Sequence, residues 1–412
     1  MKKILIINLI LFFSICEIAL RLKPSLIPVF LLTRYNISLR ATISEKIGLQ
    51  SSESIIKYQR NDGGNPEKAF RFKPYYNMNF NYQDIGAVKS VTLDSLGLCN
   101  PINKLTDKID VITLGDSFTW CLAVSEKDTW TTKLSEYNGL STYNLSRPGI
   151  GMYEYIQQLI EYGLDKNPSY VIMNIYEGND LRDAISYCNY KNNSQINQDN
   201  MESLNVGFKK RGYQLLKNSY FGSTSYAFNL FLSIMHYTIK PNDKLLKDAN
   251  TNYNFRYKLI FDQDTLNFNR YNVDTDEIEY AYKIKNKEAD LSVFDEGLKN
   301  FTSLAKKYDF TPIISYIPSA HTSYSKYTYF DESNVKEELR SYSNALRKYF
   351  EKNKNIFKYH FIDCTLPFQK ASQKYQKEDL LYFPLNLHLT KLGHIITAKT
   401  IKSNLEKIIK NS

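Results

Sequence analysis

The chain reads as an α/β protein built on a parallel sheet. Two observations predict this class. Short apolar, β-branched runs such as Val111 to Leu114 and Tyr170 to Tyr176 lack polar alternation and stop abruptly at turn residues, as strands buried on both faces do. Between them lie stretches of helical periodicity, and that alternation implies βαβ units with parallel neighbours.

The N-terminus opens with Lys2 and Lys3, then an apolar stretch from Ile4 to Leu20 interrupted by Asn8, Ser14 and Glu17. A basic start, an apolar span and no small-residue cleavage signal predict an uncleaved signal anchor over residues 1–25, with the rest of the chain outside the cytoplasm. A carboxylate in mid-bilayer is costly, which places Glu17 near an interface. Residues 26–108 are mixed and turn-rich, with an evident loop at Gly63-Gly64-Asn65-Pro66. They read as a membrane-proximal segment without chemistry of its own.

From 109 to 190 the alternation is regular. After the strand Val111 to Leu114 comes the turn Gly115-Asp116-Ser117. Ser125 to Asp128 resembles a capping box, and Trp130, Leu134 and Tyr137 share a helical face. Tyr143 to Leu145 is a short strand ending at Ser146-Arg147-Pro148-Gly149. The next helix turns Tyr155, Ile156, Leu159 and Ile160 inward and stops by Gly163. The strand Tyr170 to Tyr176 ends at Gly178-Asn179-Asp180.

Residues 191–290 break the rhythm, being rich in Asn, Lys and Tyr with one apolar stretch from Tyr226 to Tyr237. They read as a mostly helical insertion. Alternation resumes over 291–412: a helix near 293–308, a strand Thr311 to Ile317, a helix near 335–352, a strand Lys358 to Ile362, and a last helix after His394 ending near Lys410.

A net charge of +10 invites a nucleic-acid reading. The positive charge is mostly lysine and is scattered rather than gathered into arginine-rich stripes, which argues against it. The five cysteines, Cys16, Cys99, Cys121, Cys188 and Cys364, show no C-x-x-C pairing and no metal-ligand spacing with the histidines, so no metal is expected. They read as free thiols, with one or two disulfides left open and unassigned.

Three turns thus sit at the carboxyl ends of three successive strands, at Ser117, Gly149 and Asn179, and a C-terminal loop carries His388. Ligands of open α/β sheets bind at that edge. Acyl transfer needs a hydroxyl, a base for its proton and donors aimed at a developing oxyanion. The N–H groups of Ser117 and Gly149 and the Asn179 amide are candidate donors.

At these positions the chain resembles a known family. Gly115-Asp116-Ser117-Phe118, Asn144 with Gly149, Gly178-Asn179-Asp180 and His388-Leu389-Thr390 with Gly393-His394 match in order the four blocks of the SGNH (GDSL-like) hydrolases. The resemblance spans roughly 90–190 and 295–405 and is nearest the membrane-anchored bacterial branch associated with surface polysaccharides. It implies a flavodoxin-like three-layer α/β/α domain, interrupted by the 191–290 insertion. It implies Ser117 as nucleophile, Ser117, Gly149 and Asn179 as the oxyanion hole, and His388 as general base, with no cofactor. The expected activity is an extracytoplasmic esterase or O-acyltransferase acting on acyl, chiefly acetyl, esters of an exported glycan. The rival readings are a glycan-binding or assembly component with a weakened site, and a lipid-ester hydrolase at the membrane.

One departure matters. Where the family carries an aspartate just upstream of the histidine, this chain has Leu385 and Asn386. An asparagine can orient an imidazole but cannot offset imidazolium charge, and in serine proteases the Asp-to-Asn change lowers kcat about 10⁴-fold through the wrong tautomer. The site therefore runs as a Ser117–His388 dyad, borrows Asp379 or Asp363, or is impaired.

Several neighbours have structural readings. Asp116 is expected to accept from backbone amides, Asp180 to cap a helix start, and His394, His236 and His360 to be packed polar residues. His321, just past the strand end at Ile317-Pro318-Ser319, is a candidate to line the cleft. Arg147 either meets an anionic glycan or is solvated. Trp120 and Cys121 either narrow the site or pack beneath the turn.

Overall fold

A computed structural model of the 412-residue chain describes residues 2–28, 74–81, 88–102, 108–199, 219–239, 276–330, 335–374 and 379–411 apart from 385, with shorter stretches between them, 257–261 and 264–268 included. The chain divides into two compact units, residues 1–60 with 193–254, and residues 61–192 with 255–412. The Gly63–Pro66 loop and Leu385 lie outside the described residues.

The larger unit begins with an antiparallel hairpin, β1 (Asn77–Asn81) and β2 (Val88–Thr92). β3 (Val111–Leu114), β4 (Thr142–Asn144) and β5 (Tyr170–Tyr176) follow, then a second hairpin of β6 (Tyr257–Ile260) and β7 (Thr265–Phe268). β8 (Thr311–Ile317), the two-residue β9 (Thr328–Tyr329) and β10 (His360–Asp363) close the set.

Five strands form a wholly parallel sheet in the order β10-β8-β5-β3-β4. Counted along the chain this is the 2-1-3-4-5 arrangement of flavodoxin-like sheets. Its topological switch point lies between β3 and β5, where connections leave toward opposite edges and open a crevice beyond the strand ends. Ser117 follows β3 and Asn179 follows β5, so both stand at that crevice.

Helices cover both faces, and alternate residues of each strand explain how. Ile112, Val171, Met173 and Ile314 point into a core with α2 (Met152–Tyr162), α5 (Asp295–Tyr308) and α7 (Val335–Phe357), through residues such as Ile156, Leu298 and Leu346. Val111, Ile172, Ile313 and Ile362 point the other way, onto α1 (Trp130–Asn138) and α9 (Lys391–Asn411), through Trp130, Leu134, Ala398 and Ile401. The remaining helices of this unit are α3 (Asp180–Asp199), α4 (Asp276–Lys285), α6 (Ala320–Ser323) and α8 (Thr365–Ser372). The fold is a three-layer α/β/α sandwich.

Three differences from the sequence reading have physical reasons. The insertion is not all helical: β6 and β7 pair through a turn in which Phe261 and Asp264 exchange backbone hydrogen bonds, and β6 also pairs with β9. These strands are four residues long, too short for alternation to register. The helix expected from Ser125 starts at Trp130 instead, because Thr129 caps it by accepting the Thr132 N–H. Cys99 and Cys121 are not free but form a disulfide that ties the segment after β2 to the loop after Ser117.

In the smaller unit, the helix Lys2–Leu22 packs against the helix Tyr226–Ile239 around Leu20, Tyr35, Leu39 and Tyr226. Glu17 is satisfied by protein: it accepts from Ser225 Oγ and from the Ala227 N–H, both at 2.8 Å, while Arg21 donates to Thr224 O at 2.7 Å. Among the described residues no helix is long and apolar enough to cross a membrane, so the structure lends no support to a transmembrane anchor or a membrane partner at Ile4 to Leu20.

Candidate active site

Gly115 begins the turn after β3 because the chain folds back too closely for a side chain: a Cβ there would lie 2.2 Å from Thr119 Oγ1. Asp116 then accepts the Phe118 N–H at 2.8 Å, the structural role expected of it. This turn aims Ser117 outward while Asp116 and Phe118 stay buried.

The loop after β4 is tied to the same edge, since Arg147 N–H donates to Gly115 O at 3.0 Å. Gly149 adopts φ +72°, in the left-handed region that favours glycine, and faces open space. The loop is held from behind by Asn144, whose Oδ1 accepts the Ser146 N–H at 2.9 Å and whose Nδ2 donates to Thr119 O at 3.0 Å. Asn144 N–H in turn donates to Asn100 Oδ1, and Asn100 donates to buried Asp94. The segment read as having no chemistry therefore buttresses the candidate oxyanion loop.

His388 arrives on a tight loop. Phe383 N–H donates to His388 O and Leu387 N–H to Phe383 O, each at 2.9 Å, and Tyr382 OH anchors the loop to Pro318 O beyond β8. Leu387 sits at φ +61°, a conformation a branched residue adopts only when its surroundings impose it. The outcome is decisive for geometry: His388 Nε2 lies 2.9 Å from Ser117 Oγ.

The other ring nitrogen, Nδ1, lies 3.0 Å from the main-chain oxygen of Asn386 and 3.3 Å from its Oδ1, and Asn386 Oδ1 also accepts the His388 N–H at 2.9 Å. An Nδ1–H donating to Asn386 leaves Nε2 as the proton acceptor facing the serine. Phe118 stacks on the His388 ring at 4.7 Å and on Tyr176 at 3.4 Å, fixing the imidazole plane. Asp363 is occupied elsewhere, accepting the Thr365 N–H at 2.7 Å and lying 3.5 Å from Arg347 Nη1. Asp379 is exposed. The structure thus brings Ser117, His388 and Asn386 together and holds Asp363 elsewhere.

Exposure sorts the site residues as geometry does. Ser117, Gly149, Asn179 and His388 each reach solvent, while both chain neighbours of each are buried. Four loops distant in sequence thus each present an accessible residue flanked by buried ones.

Asn179 follows β5, and its amide is near two carboxylates, with Nδ2 3.4 Å from Asp183 Oδ2. Burial pushes Asp116 up to about 7, against the pull of the Phe118 N–H and the Asn179 amide. Asp180 is also raised well above the ordinary carboxylate range, first by burial and then by Asp116. It does not cap its helix from outside, but opens α3 and accepts from Tyr176 N–H at 2.5 Å and Tyr155 OH at 2.6 Å. A carboxyl raised from 3.8 to about 7 keeps its proton in the folded state after the unfolded chain has released it. Stability therefore falls as pH rises across that window. Asp116→Asn is expected to raise the melting temperature at pH 8 and change it little at pH 4; equal effects at both pH values in thermal scans would refute the assignment.

Arg147 is neither solvated nor glycan-facing: it is buried with its guanidinium 4.7 Å from the Phe72 ring centroid. Trp120 packs beneath the turn against Phe72, and Cys121 is in the disulfide. His394 is structural, its Nδ1 accepting the Trp130 N–H at 3.1 Å, and burial pushes it down to about 3. His236 has no described side chain, and His360 is exposed at the start of β10. His321 is absent from the Ser117–His388 cluster: its Nδ1 lies 2.9 Å from Glu277 and its Nε2 3.5 Å from Glu177.

Glu177 went unread in the sequence. Fully buried at the end of β5, it accepts from Tyr316 OH at 2.8 Å, Ser343 Oγ at 3.1 Å, Ser319 Oγ at 3.1 Å and Thr322 Oγ1 at 2.5 Å. That network locks the start of the Asn179 loop to the end of β8. A lone carboxylate closing an apolar strand was the available signal.

No family model matches the chain and no curated protein matches it. Among solved structures, the likeness is to SGNH (GDSL-like) hydrolases and acetyl xylan esterases. A GDSL-like lipase from Bacteroides thetaiotaomicron is 14% identical, with 74% of this chain and 93% of that one covered and a TM-score of 0.32. An acetyl xylan esterase variant from Geobacillus stearothermophilus is 10% identical, covering 73% and 97%, with a TM-score of 0.34. The acetyl xylan esterase AlAXEase is 15% identical, covering 72% and 100%, with a TM-score of 0.31. At these scores the likeness carries no weight of its own.

Proposed function

We propose that the chain is an SGNH-type serine esterase or O-acyltransferase that acts outside the cytoplasm on acyl, chiefly acetyl, esters of a surface or exported glycan. The observation that carries the catalytic part is the 2.9 Å approach of His388 Nε2 to Ser117 Oγ at the sheet's switch point.

Ser117 Oγ attacks the ester carbonyl as His388 Nε2 takes its proton, and the C–O π bond becomes an oxyanion facing the Ser117 and Gly149 N–H groups and the Asn179 amide. Collapse breaks the bond to the sugar oxygen, which leaves with the proton from His388. Water, or a second sugar hydroxyl, then attacks the acyl-serine by the same steps in reverse. Asn179→Ala is expected to lower kcat by about 10²-fold or more with little change in KM, as loss of one oxyanion donor does. Steady-state kinetics with p-nitrophenyl acetate provides the check, and an unchanged kcat removes Asn179 from the role.

The absent aspartate favours a second reading, a glycan-binding component with a weakened site. The two readings separate on Asn386→Asp. Because the main-chain oxygen of Asn386 already holds Nδ1, the tautomer does not depend on the side chain, and the serine-protease penalty of about 10⁴ does not carry over. The expected gain is at most about tenfold, the part owed to imidazolium charge. A rise of several orders of magnitude would instead mark the native site as decayed.

Extracytoplasmic placement is supported by the Cys99–Cys121 disulfide, since such bonds persist in oxidising compartments. Recovery of the protein from the cytosolic fraction with both thiols free would overturn it.

A further inference from the structure

We infer that the larger unit carries a second ligand site, a cationic cavity separate from the Ser117 loops that takes a small oxyanion-bearing molecule such as a sugar phosphate or a uronic acid. The cavity measures about 430 Å³ and is walled by one stripe of α7, by the segment from α6 to Phe330, and by Gln369 of α8. That volume suits a small ligand. None of Ser117, Gly149, Asn179 or His388 lines it.

The α7 stripe is Lys336, Arg340, Ser343, Asn344 and Arg347, whose spacing puts them on one side of the helix. The opposite stripe, including Leu339, Leu346 and Phe350, is buried in the core. A polar helical face of this kind ordinarily meets open solvent. Here it forms one wall of a concavity, with Ser343 buried and Asn344 and Arg347 partly buried, and Lys326 adds a fourth cation from the facing segment.

Charge is the deciding property. Lys326, Lys336, Arg340 and Arg347 line the cavity, and among the described residues no carboxylate does. Arg347 is partly neutralised by Asp363 at 3.5 Å and Lys336 is tethered to Thr328 O at 2.7 Å. Arg340 has no hydrogen bond or ion pair among the described residues. Glu177 and Glu277 lie nearby but are engaged with His321. Four like charges facing one concavity repel one another, and a bound anion relieves that repulsion while the arginine forks grip two of its oxygens. Gln369, whose amide nitrogen donates to Thr322 O and Ser325 Oγ, adds an amide oxygen that can accept from a hydroxyl of the ligand body.

Calorimetric titration of the full chain with inorganic phosphate, glucose 1-phosphate, glucuronate and glucose tests this without turnover, so the result stands whether or not Ser117 is a nucleophile. Saturable binding of phosphate and glucose 1-phosphate but not glucuronate assigns a phosphoryl ligand, and the converse assigns a carboxylate; either supports the site. Arg340→Glu, at an exposed position, should weaken that binding by about tenfold or more, with an unchanged melting temperature. Absence of binding by all three anions, equal binding of glucose, or equal affinity in Arg340→Glu would overturn the inference.

Discussion

Ser117→Ala is expected to lower kcat on a p-nitrophenyl ester by about 10⁴-fold or more while KM and the melting temperature stay near the parental values. The hydroxyl is the only group lost. Ser117 is partly exposed, its main-chain N–H survives the change, and the turn is set by Gly115 and by the Asp116–Phe118 hydrogen bond. Whatever activity remains comes from substrate binding and the oxyanion donors, which act without a nucleophile. Turnover equal to the parent's in a sample free of contaminating esterase would end the assignment.

His388→Ala is expected to cost about as much as the loss of Ser117, because each is useless without the other. Groups that act as one unit are strongly non-additive, so the double variant should be no slower than either single one. The measurement is a double-mutant cycle on kcat/KM. Additive losses would show that the 2.9 Å contact does not serve proton transfer. The alanine also removes the ring that stacks on Phe118, so a melting curve accompanies the kinetics. Partial rescue of His388→Ala by added imidazole would separate loss of a base from loss of packing.

Much of this site was legible in the sequence because its constraints are local. Gly115 is required by a close approach four residues on, Gly149 by its own φ, and the strands by apolar runs buried on both faces. The sequence also marked Asn386 as the departure, since the missing carboxylate is a matter of residue type. Less local features escaped. The short β6–β7 hairpin carries little periodic signal, Arg147 is buried only because Phe72 comes from a distant segment, and Glu177 gains its meaning from partners on β8, α6 and α7. The anchor reading rested on the basic start, the apolar span and the missing cleavage signal, all local features, whereas the contact of Glu17 with the start of another helix is not local.

By itself the amino-acid order determined the α/β class, the five strands of the parallel sheet, and the residue types that stand at three strand ends and in the loop of His388. Those follow from periodicity and turn chemistry, which act over a few residues. Only the tertiary structure decided that His388 faces Ser117 and that Asn386 meets its far nitrogen through a main-chain oxygen as well as a side chain. Contacts across 271 residues depend on strand order and packing, which no local pattern encodes.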